Sequence, residues 1–262
     1  MPLLDLAANS LRPFSFRGKG RLLNSFCPRE GIRRTSLFGY SIELDVADHI
    51  QRNVFLGTYE RHETALVRKY LKPGMTFVDI GANIGYYSLM AAAVAGPSGR
   101  VIAFEPNPVL SAQLKRTVDH NGIRNITVEQ LALAEKTGSS LLFVPKESGN
   151  NTATMIANDG GRPIEVSVLT LDEYLGQHQI SRVNFMKMDV EGFEPKIIQG
   201  ALSSIRAKKI DAILCEFCGE WLRSSGTTPR DFYEFMKSLG LRPVEEMSES
   251  SLELQNILFT AS

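Results

Sequence analysis

Residues 76–88, TFVDIGANIGYYS, restrict the fold more than any other stretch, because an apolar strand runs straight into a turn carrying an acid, two glycines and an asparagine. Asp79, Gly81, Asn83 and Gly85 form Asp-x-Gly-x-Asn-x-Gly, in which the glycines let the backbone turn sharply and approach a ligand without Cβ clashes. The following YYSLMAAAVAG reads as a helix packed behind that loop. Twenty residues past Gly85, Glu105 closes a second apolar strand, RVIAF, at the spacing where a carboxylate can accept hydrogen bonds from a ribose diol. A plain strand-turn-helix crossing would explain the glycines but not the acid in register, so loop and acid together point to a nucleoside.

What the loop lacks narrows the nucleoside. A dinucleotide fingerprint spaces three glycines as Gly-x-Gly-x-x-Gly, and Ile80-Gly81-Ala82-Asn83 breaks that spacing. No Gly-Lys-Ser/Thr is present to cradle a triphosphate. The acid at Asp79 suits a cofactor with a cationic end, and S-adenosylmethionine carries both a sulfonium and an ammonium.

Composition sets outer bounds. At 262 residues the chain can bury one α/β core with a short extension. Lys plus Arg and Asp plus Glu each total 29, which supplies no bulk electrostatic case for nucleic acid or membrane binding. Residues 1–40 are locally basic, with Arg12, Arg17, Lys19, Arg21, Arg29, Arg33 and Arg34 against Asp5 and Glu30, and read as a solvated arm. The longest apolar run, around Leu89 to Ala95, is too short for a membrane span and belongs to the helix after the glycine loop. MPLLDLAANSL carries Asp5 ahead of the basic cluster, the reverse of a secretory signal. Cys27, Cys215 and Cys218 suggest no disulfide framework, so a soluble protein in a reducing, cytoplasmic compartment is expected. Cys215-Glu216-Phe217-Cys218 ends an apolar strand without completing a metal set, and packing is its expected role.

From residue 75 strands and helices alternate, which predicts a mostly parallel sheet covered on both faces. Strands are expected at Thr76–Ile80, Val101–Phe104, Ile126–Leu131, Val183–Met188 and Ile210–Cys215. Helices are expected at Tyr86–Ala95, Pro108–Asn121 and Glu194–Arg206, with another opened by Thr228-Pro229 and closed by Gly240. LRPVEEM and LELQNILFT then form a terminal hairpin that makes the sheet finish antiparallel. Residues 41–72 start strand-like and become an amphipathic helix from about Tyr59. Residues 136–170 interrupt the alternation with a short hairpin followed by a polar Gly/Asn/Thr-rich loop. The boundaries drawn are an extension over 1–54 and a cofactor-binding domain over 55–262.

In an open parallel sheet ligands bind beyond the carboxyl ends of the strands, and those ends collect acids: Asp79, Glu105, Asp189 with Glu191, and Glu216. Capping alone would account for Asp189 or Glu191 singly, but the grouping favours a shared cleft.

VDIGANIGYYS, AFEPNP, NGIRNITVEQLALAE, TLDEYL, MKMDVEGFE, ILCEF and NILF occur in the order seen in the FkbM family of S-adenosylmethionine-dependent methyltransferases, which the chain resembles from about Phe55 to Phe259. The resemblance implies the class I methyltransferase fold: a Rossmann-like α/β three-layer sandwich around a seven-stranded, mostly parallel sheet with an antiparallel last strand. It implies that Asp79, Gly81, Asn83 and Gly85 surround the methionyl part of the cofactor and that Glu105 holds the ribose hydroxyls. Pro106 and Asn107 would shape the wall, Gln130, Leu131 and Ala132 would border adenine, and Tyr59 and Glu60 would close the pocket. Lys187 and Asn256 would support the site.

Methyl transfer is an in-line displacement at a sulfonium methyl, so an acceptor atom must be held opposite the leaving sulfur. An alcohol acceptor needs a proton acceptor or a metal at neutral pH. Asp189 is the first candidate base and Glu191 the second, with Glu216 and His62 behind them; several carboxylates could instead coordinate Mg²⁺. The family resemblance implies O-methylation of a sugar, glycan or secondary-metabolite hydroxyl; the charge balance and the absence of an Asn-Pro-Pro-Tyr motif or a Pro-Cys nucleophile argue against a nucleic-acid substrate, and a homodimer is left open. The rival readings are an NAD(P)-dependent oxidoreductase and a cofactor-binding module without catalysis. The wall opposite the glycine loop is expected from residues 41–72 and 146–162.

Overall fold

The computed structural model describes residues 30–145, 153–156, 161–247 and 254–261. Its centre is the expected sheet. Strands β3 (Thr76–Ile80), β4 (Arg100–Phe104), β5 (Ile126–Glu129), β9 (Phe185–Met188), β10 (Ala212–Cys218), β11 (Leu241–Pro243) and β12 (Leu254–Ala261) lie in the order β11-β12-β10-β9-β3-β4-β5. All pairings from β5 to β10 are parallel, and β12 runs antiparallel to both β10 and β11. Alternate residues of each strand serve opposite faces, so Phe77 and Phe185 stack on one side, ring centroids 5.8 Å apart, while Val78, Ile80, Met186 and Met188 fill the other.

Helices α3 (Tyr86–Ala95) and α4 (Pro108–His120) cover the first face; α5 (Leu171–Gln177), α6 (Glu194–Gln199), α7 (Leu202–Arg206), α8 (Gly219–Ser224) and α9 (Pro229–Ser238) are distributed over the second. The α9 cap is as expected: Thr228 accepts the Asp231 N–H at 3.1 Å ahead of Pro229.

The single helix expected over Glu194–Arg206 is two, because the Asp172 carboxylate accepts the N–H groups of Ser203 and Ser204 at 2.8 Å each and starts a new helix. β5 stops at Glu129, two residues before the expected Leu131, and β9 starts at Phe185 rather than Val183, which makes only an isolated bridge to Ile210. β10 extends to Cys218 because β12 pairs with it along its whole length, so Glu216 lies within the strand rather than after it.

Two additions frame the site. Ahead of the sheet, β1 (Ile32–Leu37) and β2 (Tyr40–Asp45) form a hairpin, followed by α1 (His49–Leu56) and α2 (Arg61–Tyr70). Leu37, Ile42, Leu44, Val54, Phe55 and Leu56 share one core with Phe77 and Leu89, and the boundary drawn at residue 54 falls inside α1. Between β5 and β9, strands β6 (Ala132–Leu133), β7 (Gly138–Pro145) and β8 (Gly161–Leu169) form a separate sheet ordered β6-β8-β7. The polar stretch therefore lies between the two strands of this hairpin and not after it. Of that loop, residues 153–156 are described and return to β7: Phe143 and Thr154 exchange backbone hydrogen bonds at 2.8 and 3.2 Å. No helix among the described residues is long and apolar enough to cross a membrane.

Candidate functional site

The turn after β3 owes its shape to three residues with left-handed backbone, Gly81 (φ 79°), Asn83 (φ 52°) and Gly85 (φ 85°). Gly81 is required twice over, since a Cβ there would stand 2.0 Å from the carbonyl oxygen of Asp189. The turn is tied to the neighbouring strand end. Gly81 and Ala82 donate to the Phe104 carbonyl at 3.0 Å each, and Glu105 accepts from the Asn83 N–H at 2.7 Å and the Asn107 N–H at 2.9 Å. Asn107 in turn caps α4 by accepting from Val109 at 3.0 Å.

Each oxygen of Glu105 thus holds one backbone donor and keeps capacity for another. Burial pushes its carboxyl up to about 7, opposed by the Asn107 and Asn83 N–H groups. Two hydroxyl donors arriving from a vicinal diol would favour the charged form, so the free acceptor capacity of Glu105 fits a ribose.

Asp79 lies behind the turn, accepting from the Ser88 hydroxyl at 2.6 Å, and burial pushes it up to about 6 although Lys187 opposes this. Lys187 is its registered neighbour on β9, on the same sheet face. The Lys187 ammonium, 2% exposed, donates to Asp189 Oδ2 at 2.9 Å and sits 4.6 Å from the Tyr87 ring centroid. Burial works against its charge, but Asp189, Glu60 and Asp79 together hold it protonated above the ordinary lysine range. The Tyr87 hydroxyl donates to Glu60 at 2.6 Å, and Glu60 itself has left-handed backbone (φ 31°). The approach to α2 is thereby fastened to the helix behind the glycine turn.

At the end of β9, Glu191 also adopts left-handed backbone (φ 53°), and its carbonyl accepts from the Thr154 hydroxyl at 3.2 Å. Burial first, then Asp189 and Glu194, push Glu191 up to about 8. Burial, with repulsion from Asp189, Glu191 and Glu194, pushes Glu216 up to about 10.

One cavity joins these elements. Tyr59, Gly81, Asn83, Glu105, Pro106 and Ala132 border it, as do Asp189, Glu191 and Lys187 on the other side. Asp79, Gly85, Glu60 and Asn107 stand behind the lining and shape it through the bonds above, whereas Gln130 is exposed and Leu131 takes the place beside Ala132. His62 is exposed outside the lining, and Asn256 points at Glu63 with 3.4 Å between amide and carboxylate. Leu142, Ala153, Met155 and Phe193 line the cavity without having been singled out in the sequence. They come from the inserted sheet and the start of α6, where only long-range packing brings them to the mouth. Among the described residues no group of three or more His, Cys, Asp or Glu side chains is disposed to hold a metal, so the Mg²⁺ alternative finds no ligand set there.

A seven-stranded sheet with its penultimate-position strand reversed, a glycine turn after the first sheet strand in sequence and an acid after the second define a class I methyltransferase fold. The methyltransferase FkbM domain model matches residues 79–243, and the chain belongs to that family. It is 29% identical over 160 residues to Methyltransferase 1 of Beauveria bassiana, covering 54% of this chain and 64% of that protein. To the 31-O-demethyl-FK506 methyltransferase FkbM of Streptomyces tacrolimicus it is 29% identical over 184 residues, 59% of this chain and 68% of the relative. To the hexuronic acid methyltransferase AglP of Haloferax volcanii it is 23% identical over 163 residues, 62% of each. The chain thus spans about two thirds of the length of these relatives or slightly less.

Proposed function

We propose that the chain is an S-adenosylmethionine-dependent O-methyltransferase acting on a hydroxyl of a sugar, glycan or secondary metabolite. The observation that carries this reading is the single cavity in which a diol-ready Glu105 and the Gly81–Asn83 turn face a second wall containing Asp189 and Glu191. The printed names of two relatives, one a 31-O-demethyl-FK506 methyltransferase and one a hexuronic acid methyltransferase, support oxygen and oxygen-rich acceptors.

When bound, S-adenosylmethionine supplies an electrophilic methyl group on a sulfonium. Glu105 would hold the ribose hydroxyls, with Asn83 and Pro106 beside it, Ala132 at the adenine and Tyr59 over the pocket. Gly81 keeps the turn close to β9, so the cofactor wall and the acid-bearing wall stay in fixed relation. Asp189, anchored through Oδ2 by Lys187, would accept the hydroxyl proton through its other oxygen. An acceptor hydroxyl held at the Asp189 end of the cavity would take that methyl group and give up its proton to Asp189. Glu191 is the second candidate for that proton.

The test is incubation of the protein and methyl-labelled S-adenosylmethionine with cell extract, followed by mass spectrometry of the products. Label appearing on an oxygen of an extract compound is the expected result. Binding of NAD without binding of S-adenosylhomocysteine in calorimetry would overturn the reading.

A further inference from the structure

The end of the sheet remote from the cavity has the opposite charge. The stretches that lead into and open β3, β4, β5, β9 and β10, residues 71–75, 96–100, 121–125, 181–184 and 207–211, carry six basic residues and one acid. That acid, Asp211, is already held by Arg182 at 2.9 Å and by the Asn184 amide at 2.8 Å. Asp79, Glu105, Asp189 and Glu191 all stand toward the other ends of these strands. The equal totals of 29 acidic and 29 basic residues therefore hide a separation of charge along the strands, with a basic end that draws anions toward it.

A cleft of about 460 Å³ opens at this basic end, where β4 and β5 meet α5. Ile102 and Thr127, partners in register on one sheet face, line it together with Tyr174 and His178, and Arg100 and Arg124 come from the starts of the two strands. No Asp or Glu is among the described residues that line it. The backbone presenting the arginines is fixed. The Asn125 amide donates to the carbonyls of Ala92 at 3.1 Å and Gly96 at 2.8 Å, the Val101 N–H donates to the Asn125 carbonyl at 2.7 Å, and the Arg100 N–H donates to the Met75 carbonyl at 3.1 Å. Gly99 packs so closely that a Cβ there would stand 2.4 Å from that of Ala95.

Arg100 and Arg124 are exposed, and among the described residues neither is in an ion pair. Glu129, two residues beyond Thr127 on β5, accepts instead from the Tyr174 hydroxyl at 2.9 Å, and the His178 ring stacks on Tyr174 with centroids 4.2 Å apart. The exposed Thr127 hydroxyl adds a neutral donor beside the two charged ones.

We propose that this cleft is a second binding site, for a phosphate group carried by a soluble small molecule or by a lipid headgroup, with Arg100 and Arg124 as its charged donors. Guanidinium groups suit phosphate because their paired N–H groups match two of its oxygens at once. The length of β4 separates the cleft from Glu105, so an occupant leaves the larger cavity unobstructed, and the proposal stands independently of the methyltransferase reading.

The isotope-labelled full chain is titrated with inorganic phosphate at constant ionic strength and followed by amide NMR; it is also sedimented with phosphatidylcholine vesicles, with and without phosphatidic acid. Saturable shifts of the Arg100, Arg124 and Thr127 amides are expected, with affinity about tenfold weaker or worse in Arg100→Gln/Arg124→Gln. The control Lys72→Gln/Lys209→Gln, which removes equal charge from the same end outside the cleft, is expected to bind like the parent, and the same spectra show that each variant is folded. Sedimentation with the phosphatidic acid vesicles, abolished by the arginine substitutions, assigns the phosphate to a lipid; saturable shifts without sedimentation assign it to a soluble ligand. Absence of saturable shifts, or equal weakening in both variants, overturns the proposal, because general attraction to a basic face then accounts for everything observed.

Discussion

Lys187 holds Asp189 from behind: the ammonium is 2% exposed, the carboxylate it donates to at 2.9 Å is 22% exposed, and only the acid reaches well into the open cavity. An ion pair built this way leaves one carboxylate oxygen oriented by a buried partner and the other turned to whatever enters.

Asp189→Asn keeps an oxygen for Lys187 and removes the proposed proton acceptor. Turnover is expected to fall by about a hundredfold or more, with S-adenosylhomocysteine affinity changed far less. Equal losses in labelled-methyl transfer and in calorimetric affinity would show that Asp189 is a binding residue and not the base.

Glu105→Ala removes the carboxylate that organises the Asn83 and Asn107 N–H groups and would meet the diol. Affinity for S-adenosylhomocysteine, measured by isothermal calorimetry, is expected to weaken by about 1–3 kcal/mol. An unchanged dissociation constant would remove Glu105 from the cofactor wall.

Gly81→Ala places a methyl group 2.0 Å from the Asp189 carbonyl oxygen, on a residue at φ 79°. The obstacle is backbone, so no rotamer change relieves it, and a loss of about 2–4 kcal/mol in stability is expected from denaturant unfolding. A midpoint within error of the parent would mean that the two strand ends separate easily.

Glu194, 1% exposed, accepts from the Val190 N–H at 3.0 Å, yet burial pushes it up to about 7 from 4.5. Its folded-state value lies above the unfolded one, so its favourable contribution is complete below about pH 4.5 and is lost as pH rises through about 7. Glu194→Gln removes that titration. Thermal melts from pH 4.5 to 8 are expected to show the variant gaining on its parent by on the order of 2–3 kcal/mol across the window, whatever constant offset the amide introduces. Parallel curves for the two proteins would contradict this.

The strands were legible because their signals are local: β3, β4 and β9 are short apolar runs, and the glycines and Glu105 sit at fixed offsets from them. Gly81, Asn83, Glu105, Asp189 and Glu191, all singled out from the sequence, line one cavity because each lies within a few residues of a strand end. α1 was not recognised, although Asp48 accepts the Gln51 N–H at 2.8 Å and Gly57 closes the helix at φ 66°. Its eight residues follow directly on a strand, and so short a helix forms by packing Val54, Phe55 and Leu56 into the core more than by local propensity. Leu142 and Met155 were hidden for a different reason. Nothing within ten residues of either says that the inserted hairpin folds back over the end of β9; that placement depends on Thr154 meeting Glu191, 37 residues away.

The inserted sheet shares no strand ladder with the seven-stranded one and is reached directly from β5. Mutations, and even changes in length, can therefore accumulate in β7, β8 and their connection without shifting the register on which the cofactor side depends. In evolutionary terms the chain joins a chassis, the seven-stranded sheet, to a cartridge that can be altered without rebuilding it.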